Sequence, residues 1–137
     1  MRNAGTGSRE IEHTADWELE VWGPDMVALL VEAAMGMNRL LGIVVAEGSR
    51  RNRRIELEAA DREALLVDFL AELLYLGEVD GCAFDGFDLA VSGNRLTGTI
   101  GGAPIASQTK EIKAVTYHRL RIHETNRGLR TRVVFDV

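Results

Sequence analysis

Cysteine is nearly absent: Cys82 stands alone among 137 residues, so no intramolecular disulfide framework and no all-thiolate zinc or iron–sulfur site can form. That usage suits a reducing cytoplasm. Aromatic residues make up only 6% of the chain, and no basic strip with interleaved aromatics is visible. Positive charge is also short. With 16 Lys+Arg against 21 Asp+Glu the formal net charge is -5, so polyanions are repelled unless basic residues cluster locally. No apolar run approaches the ~18 residues of a membrane helix, and Met1 to Arg9 lacks the apolar stretch of a signal peptide. A soluble, cytoplasmic protein with no membrane partner is expected. Missing too are a GxGxxG opening a helix, a Walker lysine loop, a GxSxG elbow and an HExxH pair, which weakens any enzymatic reading.

What is present suffices for one domain: 46% of residues are apolar and 27% charged, enough for one core and too little for two. Residues 1–10 are small and polar and read as a flexible tail, leaving 11–137 as the domain. Trp17, Leu19 and Val21 alternate with Glu18 and Glu20, the period of a half-buried strand. Gly23-Pro24-Asp25 ends it and opens a helix running from about Asp25 to Leu41. Glu47-Gly48-Ser49 and the run Arg50-Arg51-Asn52-Arg53-Arg54 read as a polar connection before a strand at Ile55, Leu57 and Ala59. Asp61 is a good N-cap for a second helix with the stripe Leu65, Leu66, Phe69, Leu70, Leu73 and Leu74, closed by Gly77. Phe87, Leu89 and Val91 lead through the turn Ser92-Gly93-Asn94 into Leu96–Ile100. A loop from Gly101 to Thr109 precedes a strand from Ile112 to His123, and Asn126-Arg127-Gly128 turns the chain into a last strand, Leu129–Val137. The sum is an α+β domain, two helices packed on mostly antiparallel sheet.

Chemistry concentrates in hard oxygen donors at the two ends of this region. His13-Thr14-Ala15-Asp16 precedes the first strand, and Asp136 is followed by Val137. Alternation puts Val133, Phe135 and Val137 on one face and Asp136 on the other. If the first and last strands pair, Asp16, Asp136 and a C-terminal carboxylate could converge and repel one another unless a cation binds. All-oxygen ligation suits Ca²⁺, Mg²⁺ or Mn²⁺ better than Zn²⁺. The plainer reading has Asp16 capping a turn and Asp136 on a solvated strand edge. His118 and His123, five apart on one strand, would face opposite sides and share no metal. Lys113, between Ile112 and Ala114, reads as solvent-facing or as a contact for a phosphate or carboxylate. The arginine run 50–54 is either a solvated loop or a docking patch for RNA or an acidic partner.

Six blocks in order make the chain resemble the archease family from His13 to Val137. They are His13-Thr14-Ala15-Asp16, Glu20-Val21-Trp22-Gly23-Pro24-Asp25, Ala33-Ala34-Met35-Gly36-Met37, and Glu63 to Leu70 through Glu72-Leu73-Leu74-Tyr75. Ile112-Lys113-Ala114-Val115-Thr116-Tyr117-His118 and Arg132-Val133-Val134-Phe135-Asp136-Val137 complete the set. The resemblance implies strand–helix–strand–strand modules and no intrinsic catalysis; a monomer is expected. It implies an accessory protein that activates the GTP-dependent RNA ligase of tRNA splicing and RNA repair, promoting guanylylation of a ligase histidine and multiple turnover. RNA would be met indirectly, through the RNA-splicing ligase. It also implies a divalent cation, foremost Ca²⁺, held by Asp16, Asp136 and Val137, the last through its terminal or main-chain oxygen. Lys113, His13 and His118 become candidate partner or nucleotide contacts. The sequence departs from the family at Trp17, at Ala71 and in the loop 102–108, which is shorter and less charged. Two other readings stand beside this one: a metal-dependent phosphoester hydrolase, and a general chaperone-like binding module.

Overall fold

The computed structural model describes residues 5–12 and 16–137. Gly7–Glu12 forms β1, antiparallel to β2 (Asp16–Gly23). This corrects the expected tail: from residue 7 the chain is a strand. The segment is polar, but β2 offers a row of backbone donors and acceptors that an extended neighbour completes, so main-chain pairing orders it without apolar burial. Gly7 also fits where a side chain would not, because a Cβ there would lie 2.3 Å from the Trp22 ring.

α1 (Met26–Leu41) starts where expected, with the Asp25 side chain accepting the Ala28 N–H at 2.9 Å, and ends at left-handed Gly42. After the short β3 (Val44–Val45), β4 (Arg51–Glu58) begins inside the arginine run. That run is therefore largely strand rather than loop. β4 lies at a sheet edge, where long charged side chains reach water and discourage further strand pairing. α2 (Arg62–Asp80) is capped by Asp61, which accepts the Ala64 N–H at 2.7 Å. Its end is Gly81 with φ 66, not Gly77. A glycine weakens a helix interior by about 1 kcal/mol without ending it, and burial of Leu76 holds the last turn in place.

β5 (Cys82–Ser92) and β6 (Arg95–Ser107) form the expected hairpin around Gly93, with β4 on the other side of β6. β6 continues through the glycines read as a loop. At Gly102 a Cβ would lie 2.0 Å from the Ala83 carbonyl oxygen, beside a register shift between Phe84 and Gly86; glycine here permits a close backbone approach at a bulge. The expected strand 112–123 is broken into β7 (Ala114–Thr116) and β8 (His123–Thr125), both pairing with β9 (Gly128–Asp136). Between them the chain leaves the sheet. The Thr131 hydroxyl donates to the Arg121 carbonyl at 2.8 Å, and the Ile122 N–H donates to Glu63 at 2.8 Å. Buried Ile122 anchors this excursion, so His118 and His123 do not share a strand and the alternation argument does not apply to them.

Two antiparallel sheets result. The first runs β1-β2-β9-β7 with β8 also on β9; in the second, β6 is paired by β3, β4 and β5. α1 packs on β1, β2 and β9 and on β5, while α2 packs on β4, β5, β6 and β7, so the helix pair ties the sheets together. Phe69, Phe135, Leu29, Leu30 and Leu70 are among the fully buried side chains of the shared core. Among the described residues no helix is long and apolar enough to cross a membrane.

Candidate functional site

β2 and β9 pair so that Asp16 lies opposite Asp136, Glu18 opposite Val134, Glu20 opposite Arg132 and Trp22 opposite Arg130. The intervening residues Leu19, Val21, Val133 and Phe135 are buried, so this series forms the outer, water-facing side of the first sheet. Directly opposed residues hold their Cβ atoms about 4.5–5.5 Å apart. Asp16 and Asp136 are both exposed, and two carboxylates so placed repel each other unless a counter-charge lies between them. Apolar anchoring of β9 through Val133 and Phe135, expected from alternation alone, is what presents Asp136 outward.

On the far side of β9, Ala114 pairs with Asp136, and the Lys113 N–H donates to the Asp136 main-chain oxygen at 2.7 Å. Lys113 thus adjoins the carboxylate pair through its backbone, and the residue also lines a groove of about 920 Å³ beside both helices. Met37, Leu73, Cys82 and Phe84 contribute to the groove, and the Thr109 and Lys110 N–H groups fasten its lip to the Leu41 carbonyl. His118 is exposed beyond the opposite end of β7, so the structure does not bring it to the Asp pair. His13 lies outside the described residues, as do Thr14 and Ala15. Val137 is half-buried and follows Asp136 at the sheet end.

The donor chemistry here is all oxygen, two facing carboxylates, a type that suits a hard divalent cation. Among the described residues no group of three or more His, Cys, Asp or Glu is disposed to hold an ion. Within the expected partner block, the Tyr117 hydroxyl donates to Asp68 at 3.2 Å. Partial desolvation, then the charge of Asp68 and its hydrogen bond, and last the charge of Asp61, raise the Tyr117 pKa above 10.0. Raised in the folded state, this proton contributes stability below pH 10 that is lost as pH climbs through the folded pKa. In a Tyr75→Phe background, phenolate absorbance is expected to titrate above the free-tyrosine value and to fall back with Asp68→Asn; an unshifted titration contradicts the contact.

Farther along the same outer face, Glu20 is buried although it sits on an open sheet. Arg9 reaches it at 3.2 Å, Arg130 at 3.0 Å and Arg132 at 3.4 Å. The Arg130 guanidinium also lies 5.1 Å from the Trp22 ring centroid. Composition concealed this basic-aromatic cluster because its members come from both ends of the chain. The only signal was parity: Glu20 and Trp22 share one face of a strand, as do Arg130 and Arg132. The arginine run at 50–54, by contrast, is partly neutralised, with Arg50 paired to Asp85 and Arg53 to Asp80.

Comparison with known proteins decides the family. The model of the Archease protein family matches residues 9–137. This chain belongs to the archease family. The archease of Methanosarcina mazei is 32% identical over 147 residues, covering 100% of both chains. That of Methanopyrus kandleri is 35% identical over 121 residues, covering 82% of this chain and 86% of its own. The crystal structure of an archease from Thermotoga maritima superposes with a TM-score of 0.71 at 30% identity, covering 100% of this chain and 98% of that one. The solution structure of protein 1598 of Methanobacterium thermoautotrophicum gives 0.69 at 25% identity, covering 96% and 99%. The archease fold is therefore this chain's fold, and the sheet face carrying Asp16 and Asp136 is a face of that fold.

Proposed function

We propose that this archease-family chain is a metal-binding accessory protein that activates a GTP-dependent RNA ligase in tRNA splicing or RNA repair. It promotes guanylylation of the ligase histidine and multiple turnover without catalysis of its own. The observation that carries the reading is the register placing Asp16 opposite Asp136 on exposed ends of neighbouring strands. Asp16 and Asp136, with a Val137 oxygen, would hold the cation, Ca²⁺ foremost and Mg²⁺ or Mn²⁺ as substitutes. Bound there, it supplies charge neutralisation for nucleotide phosphates. The work of the chain itself is positional: β9, fixed by Phe135 and Val133, keeps Asp136 opposite Asp16 at one end of the sheet. A carboxylate pair so held can be set beside the phosphates of a partner's active site without reorganising first. Lys113 would meet a phosphate or acidic group of that partner, a role supported by its main-chain bond to Asp136.

The hydrolase alternative is less well supported, because among the described residues no histidine stands with the Asp pair to serve as general base. A general binding module would use the groove beside the helices instead. Multiple-turnover ligation by a cognate ligase is expected to rise when the protein is added. Unchanged turnover overturns the activator reading, and phosphoester hydrolysis by the isolated protein, lost with chelator, would favour the hydrolase.

A further inference from the structure

The outer face of the first sheet is electrically divided. Carboxylates occupy the Asp16–Asp136 end; Arg9, Arg130 and Arg132 occupy the other, where Arg127 from the turn after β8 joins Arg9 and Arg130 around a hollow of about 520 Å³. Glu20 at its base accepts one contact from each of Arg9, Arg130 and Arg132. A guanidinium carries five N–H donors, so one buried carboxylate orients the three without satisfying them, and the cluster keeps a surplus of positive charge. Arg130 is fixed twice, by Glu20 and by the Trp22 ring beneath it. Such preorganised guanidinia lose little freedom on engaging a ligand and match the multidentate oxygens of a phosphate.

Same-face residues two apart on β9, Arg130 and Arg132, are separated by about 6.7 Å along the strand, close to the spacing of successive phosphates in an extended nucleic-acid strand. A planar guanidinium seated on an indole also offers its outer surface to a nucleobase. From these placements we propose that the arginine end of this face binds the phosphate backbone of single-stranded RNA. Arg9, Arg127, Arg130 and Arg132 form the contact, and Glu20 and Trp22 act as positioning residues. The choice of RNA among phosphate polymers rests on the ligase reading above; the phosphate chemistry does not.

The test is fluorescence anisotropy of a short labelled oligoribonucleotide with the intact protein. Binding is expected, weakening with salt at a logarithmic slope of about -3 for four phosphate contacts. Arg127→Ala, in an exposed turn, is expected to weaken it about tenfold and to reduce the slope by about 0.7; Arg130→Gln is expected to act in the same direction. Arg51→Gln/Arg54→Gln on the second sheet should leave binding unchanged. No binding at low salt, loss with the Arg51/Arg54 variant rather than with Arg127→Ala, or equal competition by polyglutamate would each overturn the proposal, the last in favour of an acidic protein partner. Stimulated ligation without RNA binding by the isolated protein overturns this proposal alone. RNA binding without stimulated ligation overturns the ligase reading alone.

Discussion

Asp136→Ala is expected to abolish stimulation of the ligase while leaving the melting temperature of the cation-free protein unchanged or slightly higher. Asp136 and Asp16 are exposed, so neither substitution opens a cavity. Like charges directly opposed across strands are destabilising by about 0.2–1 kcal/mol, and removing one relieves that cost. The cation reverses the sign. Ca²⁺ at about 100 times its dissociation constant should stabilise the wild type by about 2.7 kcal/mol through mass action, and this shift should vanish in Asp16→Ala and Asp136→Ala. Asp16→Asn separates charge from shape: it keeps the size of the side chain and one acceptor oxygen but loses half of the facing charge. If Asp136→Ala melts lower than wild type without cation, the pair is structural. If calcium shifts wild type and both variants equally, the ion binds elsewhere.

Phe69→Ala should be among the most damaging single changes in the core. Phe69 is fully buried on the core-facing side of α2, with its ring edge-on to Phe87 at a centroid distance of 6.1 Å. Truncating a buried phenylalanine costs about 3–5 kcal/mol through lost burial and the cavity left behind, and an edge-to-face ring pair adds about 0.5–1.5 kcal/mol. For a chain of this size that corresponds to a fall of about 10–20 °C in melting temperature. Phe69→Leu should recover more than half. In a double-mutant cycle with Phe87→Leu, the coupling should lie near the edge-to-face value. A loss below about 1 kcal/mol would mean that the space closes by collapse. Since α2 touches both sheets, this variant should also lose ligase stimulation through partial unfolding, which separates it from the Asp variants by its melting temperature.

Both helices were legible because their signals are local. Asp25 and Asp61 are short side chains placed three residues before the N–H groups they accept, and the stripe from Leu65 to Leu74 has helical period. The turn at Gly93 and the inward Val133 and Phe135 were legible for the same reason. Glycine was read less well. Gly77 lies inside a helix that neighbouring burial sustains, and Gly102 allows a close backbone approach at a bulge instead of marking a loop. Ile112 to His123 looked continuous because its alternation is locally sound; the break reflects Ile122 and Thr131, whose partners are distant in sequence. Gly7–Glu12 carries almost no apolar signal, and only the free edge of β2 makes it a strand.

The sequence by itself determined the helices and their caps, the outward placement of Asp136 on an apolar-anchored strand, and the archease resemblance. Local spacing and ordered blocks suffice for these. Only the tertiary structure decided that Asp16 stands opposite Asp136 and that Arg9, Glu20, Trp22 and Arg130 meet on one face. Both facts depend on strand neighbours and register. A shift of one residue in the pairing of β2 with β9 would reverse the facing relation between their side chains, and what prevents it is burial of Leu19, Val21, Val133 and Phe135 against helices encoded elsewhere in the chain.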